Sequence, residues 1–364
     1  MTIEERIEEL EAEIRKTPHH KGTDHYIGRL RGRIAQLKSE LLGSFTRSSG
    51  GSGGGGYAVK KSGQASVVLV GPPSVGKSSL LNRLTDAQSK IGEYDFTTLW
   101  VIPGMMKFQN ASIQLFDLPG IIEGAAIGKG RGKEVLSVVR NCDLVIILVD
   151  IRSINKIEQI KKELYEFGVR LDETEPKMFI KKEMRGGIKV SSGIPLSHVS
   201  IETIQELAKE FHIRNGEIII KENITLDRLI DGFMGNRIYL PYLVVINKAD
   251  LLTENKKVQK NLPTGSILIS ATNNQGMGQL KEIIWQKLNI IRVYLKPKNS
   301  EVDYTDPVIV KRGINLQKIL EDTSMPNKDL ITRVKVYGPG AKFSGQEVSF
   351  SFQPQEGTIV SFLP

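Results

Sequence analysis

The apolar run Val67-Val-Leu-Val70 leads straight into Gly71-Pro-Pro-Ser-Val-Gly-Lys-Ser78, and Leu80-Leu81 follow. A buried strand, a glycine loop and a helix start in that order point consecutive backbone N–H groups and a helix N-terminus at one spot. Residues Gly71, Pro72, Pro73, Ser74, Val75, Gly76, Lys77, Ser78 and Ser79 therefore read as a loop that cradles phosphates. Gly71 and Gly76 let the backbone curl, Lys77 reaches the β/γ oxygens, and the Ser78 hydroxyl is offered to Mg²⁺. The loop predicts an α/β core and leaves open which nucleotide it serves.

Asn247-Lys-Ala-Asp250 closes a second apolar strand, Leu243-Val-Val-Ile246. The Asp250 carboxylate can accept from guanine N1–H and N2–H. Adenine offers neither donor, and a site that must hydrogen-bond its ligand rejects an analogue by roughly 10⁴–10⁵. Asn247 is expected on the N7 side and Lys248 along the base plane. Ser270, Ala271 and Thr272 follow a third such strand, Ser266-Ile-Leu-Ile269, and would supply backbone N–H groups to guanine O6. Between these motifs, Asp117-Leu-Pro-Gly120 ends the strand Ser112-Ile-Gln-Leu-Phe116; Asp117 would hold Mg²⁺ through water and the Gly120 N–H would meet the γ-phosphate. Phe96-Thr-Thr-Leu99 puts a threonine pair on a polar loop. Thr98 is the expected Mg²⁺ and γ-phosphate ligand, with Thr97 the alternative.

These five elements in this order resemble the translation-factor-like GTPases. Tyr94-Asp-Phe-Thr-Thr-Leu99 and Asp117-Leu-Pro-Gly-Ile-Ile-Glu-Gly-Ala-Ala126 are similar to the Obg-type branch. Within it, Gly128-Lys-Gly-Arg-Gly132 and Gly235-Asn-Arg-Ile-Tyr-Leu-Pro241 resemble the developmentally regulated GTP-binding (DRG) proteins of archaea and eukaryotes. The resemblance implies a GTP-hydrolysing switch that meets the ribosome or structured RNA, with an accessory regulatory protein as a further partner.

Many small GTPases carry a water-positioning glutamine just after Asp-x-x-Gly. Here the position holds Ile121, whose aliphatic side chain cannot orient water, so slow intrinsic turnover is expected. Glu123 is the nearest carboxylate and a candidate catalytic group beside Lys77 and Thr98; a merely solvated Glu is the plainer reading. Some relatives of the wider class hold a K⁺ ion with an asparagine in the phosphate loop. Ser74 stands there instead, which leaves only a K⁺ held by backbone carbonyls.

The 364 residues exceed one ordinary domain. Six segments are expected: a helical hairpin at 1–47, a Gly/Ser linker at 48–56, the first part of the GTPase core at 57–167, a small α+β insertion at 168–238, the second part of the core at 239–290, and a β-grasp module at 291–364. The first segment carries apolar residues at helical spacing, Ile3, Ile7, Leu10 and Ile14, then Ile27, Leu30, Ile34, Leu37 and Leu41. Thr17-Pro18 would end the first helix and Thr23 would cap the second. In the insertion, Met178–Lys182 and Ile188–Ser191 read as a hairpin turning at Arg185-Gly-Gly187, followed by a helix near Ile201–Phe211, a strand at Glu217–Lys221 and a helix at Leu226–Phe233. In the last segment, short strands at Val308–Lys311, Thr332–Tyr337, Glu347–Phe352 and Thr358–Phe362 surround one helix, and the stretch is similar to the TGS module.

No apolar run approaches the ~20 residues of a membrane span. Cys142 is the lone cysteine, so no intramolecular disulfide is available. A cytoplasmic monomer is expected. The net charge of +9 favours a polyanionic partner, and the basic stretch around Lys177, Lys181, Lys182, Arg185 and Lys189 reads either as RNA-facing or as edge-strand solubilisation. Two rival functions stay open: an RNA or protein interaction module that keeps GTP as a structural ligand, and a P-loop kinase, for which Asn247–Asp250 would have no purpose.

Overall fold

The computed structural model describes residues 1–18, 20, 23–41, 63–85, 102–118, 138–254, 262–297, 301–323, 325 and 328–364. The expected linker at 48–56 lies outside them. In chain order the elements are α1 (Ile3–Lys16), α2 (Asp24–Leu41), β1 (Ala65–Val70), α3 (Lys77–Leu84), β2 (Ile102–Phe108), β3 (Ala111–Asp117), β4 (Leu144–Asp150) and α4 (Ile157–Glu166). There follow β5 (Val169–Leu171), β6 (Met178–Lys182), β7 (Ile188–Ser192), α5 (Ile201–Glu210), β8 (Gly216–Ile220), α6 (Leu226–Met234) and β9 (Ile238–Leu240). The chain continues through β10 (Tyr242–Asn247), β11 (Ile267–Leu268), α7 (Met277–Leu288), β12 (Ile290–Leu295), β13 (Val308–Lys311), α8 (Leu316–Asp322), β14 (Arg333–Tyr337), β15 (Gln346–Val348) and β16 (Thr358–Leu363). Two compact units result: residues 1–57, 121–140 and 158–240, and residues 58–120, 141–157 and 241–364. No helix among the described residues is long and apolar enough to cross a membrane.

The second unit carries the phosphate loop. β1 and β4 are buried at every position, the continuous apolar pattern of strands covered on both faces. The sheet runs β11-β10-β4-β1-β3-β2, parallel throughout except for the antiparallel β2–β3 pair. Leu80 and Leu84 of α3 and Leu280 and Ile284 of α7 share one core with Val67, Leu69, Ile146, Leu148 and Val245. Register decides what this sheet presents. Asp117 lies opposite Leu69, and Asn247 lies opposite Asp150, so polar residues finish neighbouring strands at one C-terminal edge.

The C-terminal sheet has the order β13-β12-β16-β14-β15, with β12 and β16 parallel at its centre. Leu316, Ile319 and Leu320 of α8 bury against Ile291, Val293, Val334, Val336 and Val360. This is the β-grasp arrangement, with two departures from the sequence expectation. Its first strand is β12, reached from α7 through Asn289 at φ 52°. The strand expected to run to Phe352 stops at Val348. Beyond it, Phe350 O and Phe352 O accept from the Gln317 and Leu316 N–H groups at 3.0 Å each, satisfying donors at the start of α8 that a helix cannot pair internally.

In the first unit, α1 begins on a capping box, with Glu5 N–H donating to Thr2 Oγ1 and Thr2 N–H to Glu5 Oε2. Ile7 and Leu10 pack on Leu30, Ile34 and Leu37 of α2. The Thr23 hydroxyl turns back onto the connecting turn, bonding Pro18 O and His20 O. α2 also lies against α5, and two glycines make that approach close: a Cβ at Gly32 would stand 2.6 Å from Leu207 Cδ1, and one at Gly28 3.2 Å from Thr203 Cγ2. Asn236 Nδ2 donates to Ser39 Oγ at 2.9 Å, so the end of α2 is bound to the turn after α6.

The expected β6–β7 hairpin does not form. β8 lies between the two strands, antiparallel to β6 and parallel to β7. The physical reason is burial: Ile218 and Ile220 are fully buried, and the most apolar strand takes the centre while the lysine-bearing strands take the edges. A buried ion triad ties β5, α6 and the residue before β9 together. Asp231 accepts from Arg170 Nε at 2.6 Å and Nη2 at 2.8 Å, and from Arg237 Nε at 2.8 Å. Arg170 is only 3% exposed, and its guanidinium also lies 3.6 Å from the Tyr165 ring centroid. Asp231→Ala would strand both guanidinium groups, and a loss of about 3–5 kcal/mol in unfolding free energy is expected. Urea titration reads it; a loss below about 1 kcal/mol would show that water or a neighbouring carboxylate takes over.

Candidate functional site

The two loop glycines are required for different reasons. A Cβ at Gly71 would fall 2.0 Å from Leu148 O, because β1 leaves the sheet pressed against the β4 backbone. Gly76 has φ 92°, a left-handed conformation costly to other residues, and a Cβ there would lie 2.5 Å from Asn247 Nδ2. Ser74 also takes a positive φ, 62°, without being glycine. Pro73, Ser74, Ser78 and Ser79 are exposed, whereas Pro72 and Val75 are buried.

Lys77 opens α3 and is 9% exposed, its ammonium donating to Gly71 O and Pro72 O at 2.9 Å each. Burial lowers its pKa below the usual lysine range, and the Asp117 carboxylate pulls the other way. Asp117, 5% exposed, is raised above the usual carboxylate range by burial, against the pull of Lys77 and the Ser78 hydrogen bond. Ser78 Oγ donates to Asp117 Oδ2 at 3.1 Å, while Asp117 Oδ1 is buried with no hydrogen-bond partner. A hydroxyl and an unpartnered carboxylate oxygen beside a phosphate loop are hard oxygen donors of the kind Mg²⁺ takes. The residues present fit the ion.

At the far side, Asn247 is a clamp. It is 3% exposed, its Nδ2 donates to Val75 O at 2.9 Å, and its Oδ1 accepts from Ala271 N–H at 3.0 Å. The carboxamide therefore stitches the phosphate loop to the loop after β11, leaving one Nδ2 hydrogen for a base. The expectation for Ser270, Ala271 and Thr272 narrows accordingly. Ser270 N–H donates to Gln275 O and Ala271 N–H to Asn247, so of these three the Thr272 N–H is the one unspent towards the described residues. Asp250 is held by Ser270 Oγ, which donates to its Oδ1 at 2.5 Å. Lys248, at φ 61°, reaches back across the site, donating to Ser74 O at 2.8 Å and Asp150 Oδ2 at 2.9 Å.

Asp150 and Arg83 escaped the sequence reading. Burial raises the Asp150 pKa, but hydrogen bonds from Ser153 and Lys248 prevail and hold it below the usual range. Its signal was an acidic residue ending the apolar run Leu144–Val149, like Asp117 at the end of its own strand. Arg83 donates to Ala271 O at 3.0 Å and Thr272 O at 3.1 Å, fixing the loop that carries the Thr272 N–H. Nothing local in the sequence marks it. Thr97, Thr98, Gly120 and Glu123 lie outside the described residues, as does Ile121.

The profile of a family described as 50S ribosome-binding GTPase matches residues 66–182, and one for the C-terminal region of the same domain matches residues 185–290. A GTP-binding protein of Methanocaldococcus jannaschii is 44% identical over 371 residues, covering 100% of this chain and 93% of its own. Ribosome-interacting GTPase 1 of Saccharomyces cerevisiae is 37% identical, covering 100% of this chain and 99% of its own. Developmentally-regulated GTP-binding protein 2 of Homo sapiens is 34% identical, with 100% of each chain covered.

Proposed function

Because the chain belongs to the developmentally regulated GTP-binding protein family and is a GTPase, converting GTP and water to GDP and phosphate, we propose that it is a molecular switch directed at the ribosome. The observation that carries the site is the buried, unpartnered Oδ1 of Asp117 beside the Ser78 hydroxyl. Ser78 and Asp117, with Thr98, would hold Mg²⁺, which when bound neutralises charge on the phosphate oxygens. The chain's own groups do the rest. Backbone N–H groups of the loop and the Lys77 ammonium bind the phosphates, Gly120 N–H meets the γ-phosphate, and Asp250 selects guanine while Asn247 keeps its reader loop in place.

Ile121 stands where a water-positioning glutamine would act, so turnover in isolation is slow, about 10⁻⁴–10⁻² s⁻¹, with Glu123 the nearest group able to assist. The missing geometry is completed from outside, by the ribosome, an accessory protein or K⁺. The ribosome as partner is supported by the matched family, described as ribosome-binding, by the yeast relative, a ribosome-interacting GTPase, and by the net charge of +9. In this reading the protein works as a cytoplasmic monomer and residues 291–364 serve as a TGS module.

The test is GTP turnover by the purified protein at fixed Mg²⁺, in K⁺ and in Na⁺, with and without ribosomes. Stimulation by ribosomes is expected. Tight GTP binding with flat, near-zero turnover in every condition would replace the switch by a module that keeps GTP as a structural ligand, the reading Ile121 favours.

A further inference from the structure

The three-stranded sheet of the insertion is covered on one face only. Met178, Ile180, Ile188, Val190, Ile218 and Ile220 pack towards the core built with α5 and α6. Strand alternation sends the intervening residues to the other face. There Phe179 stands opposite Ile219, and Ile219 opposite Ser191. In the next row Lys181 stands opposite Glu217, and Glu217 opposite Lys189.

Phe179 is 58% exposed, and the Lys221 ammonium lies 4.9 Å from its ring centroid. Among the described residues, Lys181 has an exposed pair with Glu183 at 3.8 Å and no other ion pair. Lys182, Arg185 and Lys189 have no ion-pair partner among the described residues. Lysines alone on edge strands are explained by the need to block edge-to-edge pairing. A phenyl ring left largely exposed on the same face, with one lysine ammonium beside it, is not, since blocking an edge requires no aromatic surface.

We infer that this open face binds single-stranded RNA, with a base stacked on Phe179 and the neighbouring phosphates drawn to Lys181, Lys189 and Lys221. The chemistry of the face selects that ligand. An exposed ring offers a sequence-tolerant platform for an unpaired base; Lys221 stands beside it, Lys181 about 7 Å along the same strand, and Lys189 level with Lys181 but two strands across, beyond Glu217. A duplex keeps its base faces stacked inside and has nothing to lay on the ring. An acidic peptide would engage the lysines and leave the ring idle. The site goes beyond the ribosome reading, because a free oligonucleotide suffices to occupy it.

The experiment is fluorescence anisotropy of the full chain with a labelled ten-nucleotide oligouridylate, beside an RNA duplex of equal length and a polyglutamate peptide. The single strand should bind best. Phe179→Ala should weaken it about tenfold and Phe179→Tyr should keep it, because tyrosine retains the stacking face. Lys181→Ala with Lys189→Ala should flatten the slope of log affinity against log salt by about 1.4. Each variant replaces an exposed side chain, so urea midpoints and basal GTP turnover should be unchanged. Loss of ribosome stimulation with intact oligonucleotide binding would count against the preceding reading and not this one. The inference is overturned if the single strand does not bind, if Phe179→Ala binds it like the parent, or if duplex or polyglutamate is the preferred ligand.

Discussion

Asp250→Asn is expected to weaken GTP binding by about 10⁴ and to make xanthosine triphosphate the preferred nucleotide. The direction follows from Ser270. Its hydroxyl donates to Asp250 Oδ1, so an asparagine at this position turns its single carbonyl oxygen to Ser270 and its NH₂ to the base. The NH₂ then opposes guanine N2–H₂ and finds an acceptor in the 2-oxo group of xanthine. Competition between the two nucleotides for the purified variant measures the switch; an unchanged preference for GTP would remove Asp250 from base selection. Ser270→Ala should blunt the exchange, since the side-chain orientation is then no longer imposed.

Lys77→Ala is expected to raise the Kd for GTP by about 10–10² and bring turnover to background. A hydrogen bond to a charged group contributes about 1.5–3 kcal/mol, and this ammonium, 9% exposed, is poorly replaced by water. Its present partners are Gly71 O and Pro72 O, so the substitution also leaves two loop carbonyls without their donor. Lys77→Arg separates the effects: it keeps the charge but cannot place a wider guanidinium in the same space. A fluorescent-nucleotide titration alongside a urea midpoint reads both. Near-parental affinity in the alanine variant, with stability intact, would contradict a phosphate role for Lys77.

The fold class and the family were legible because their signals are local and ordered. Val67–Val70 followed by the glycine loop specifies a buried parallel strand feeding a helix, and Asn247–Asp250 ends a second apolar run in the same way. Once both strands lie in one parallel sheet, their loops must emerge at the same edge, so proximity of the two motifs follows from strand direction alone. The β6–β7 pairing was misread for the converse reason. A glycine turn between two short strands satisfies every local criterion for a hairpin, and only the arrival of β8, which begins 24 residues after β7 ends, reveals that the space between them is taken.

Residue types at fixed spacing thus marked this chain by themselves as a GTPase built on an α/β core. Tertiary structure alone decided how side chains are shared between motifs. Asn247 spends its carboxamide on Val75 O and Ala271 N–H, Lys248 bridges Ser74 and Asp150, Arg83 holds the loop after β11, and Phe179 is left largely exposed beside Lys221. The physical reason is that a hydrogen bond or a packed face is a property of two groups. Local sequence states which groups a segment offers; which of them are already taken depends on partners that only folding brings within 3 Å.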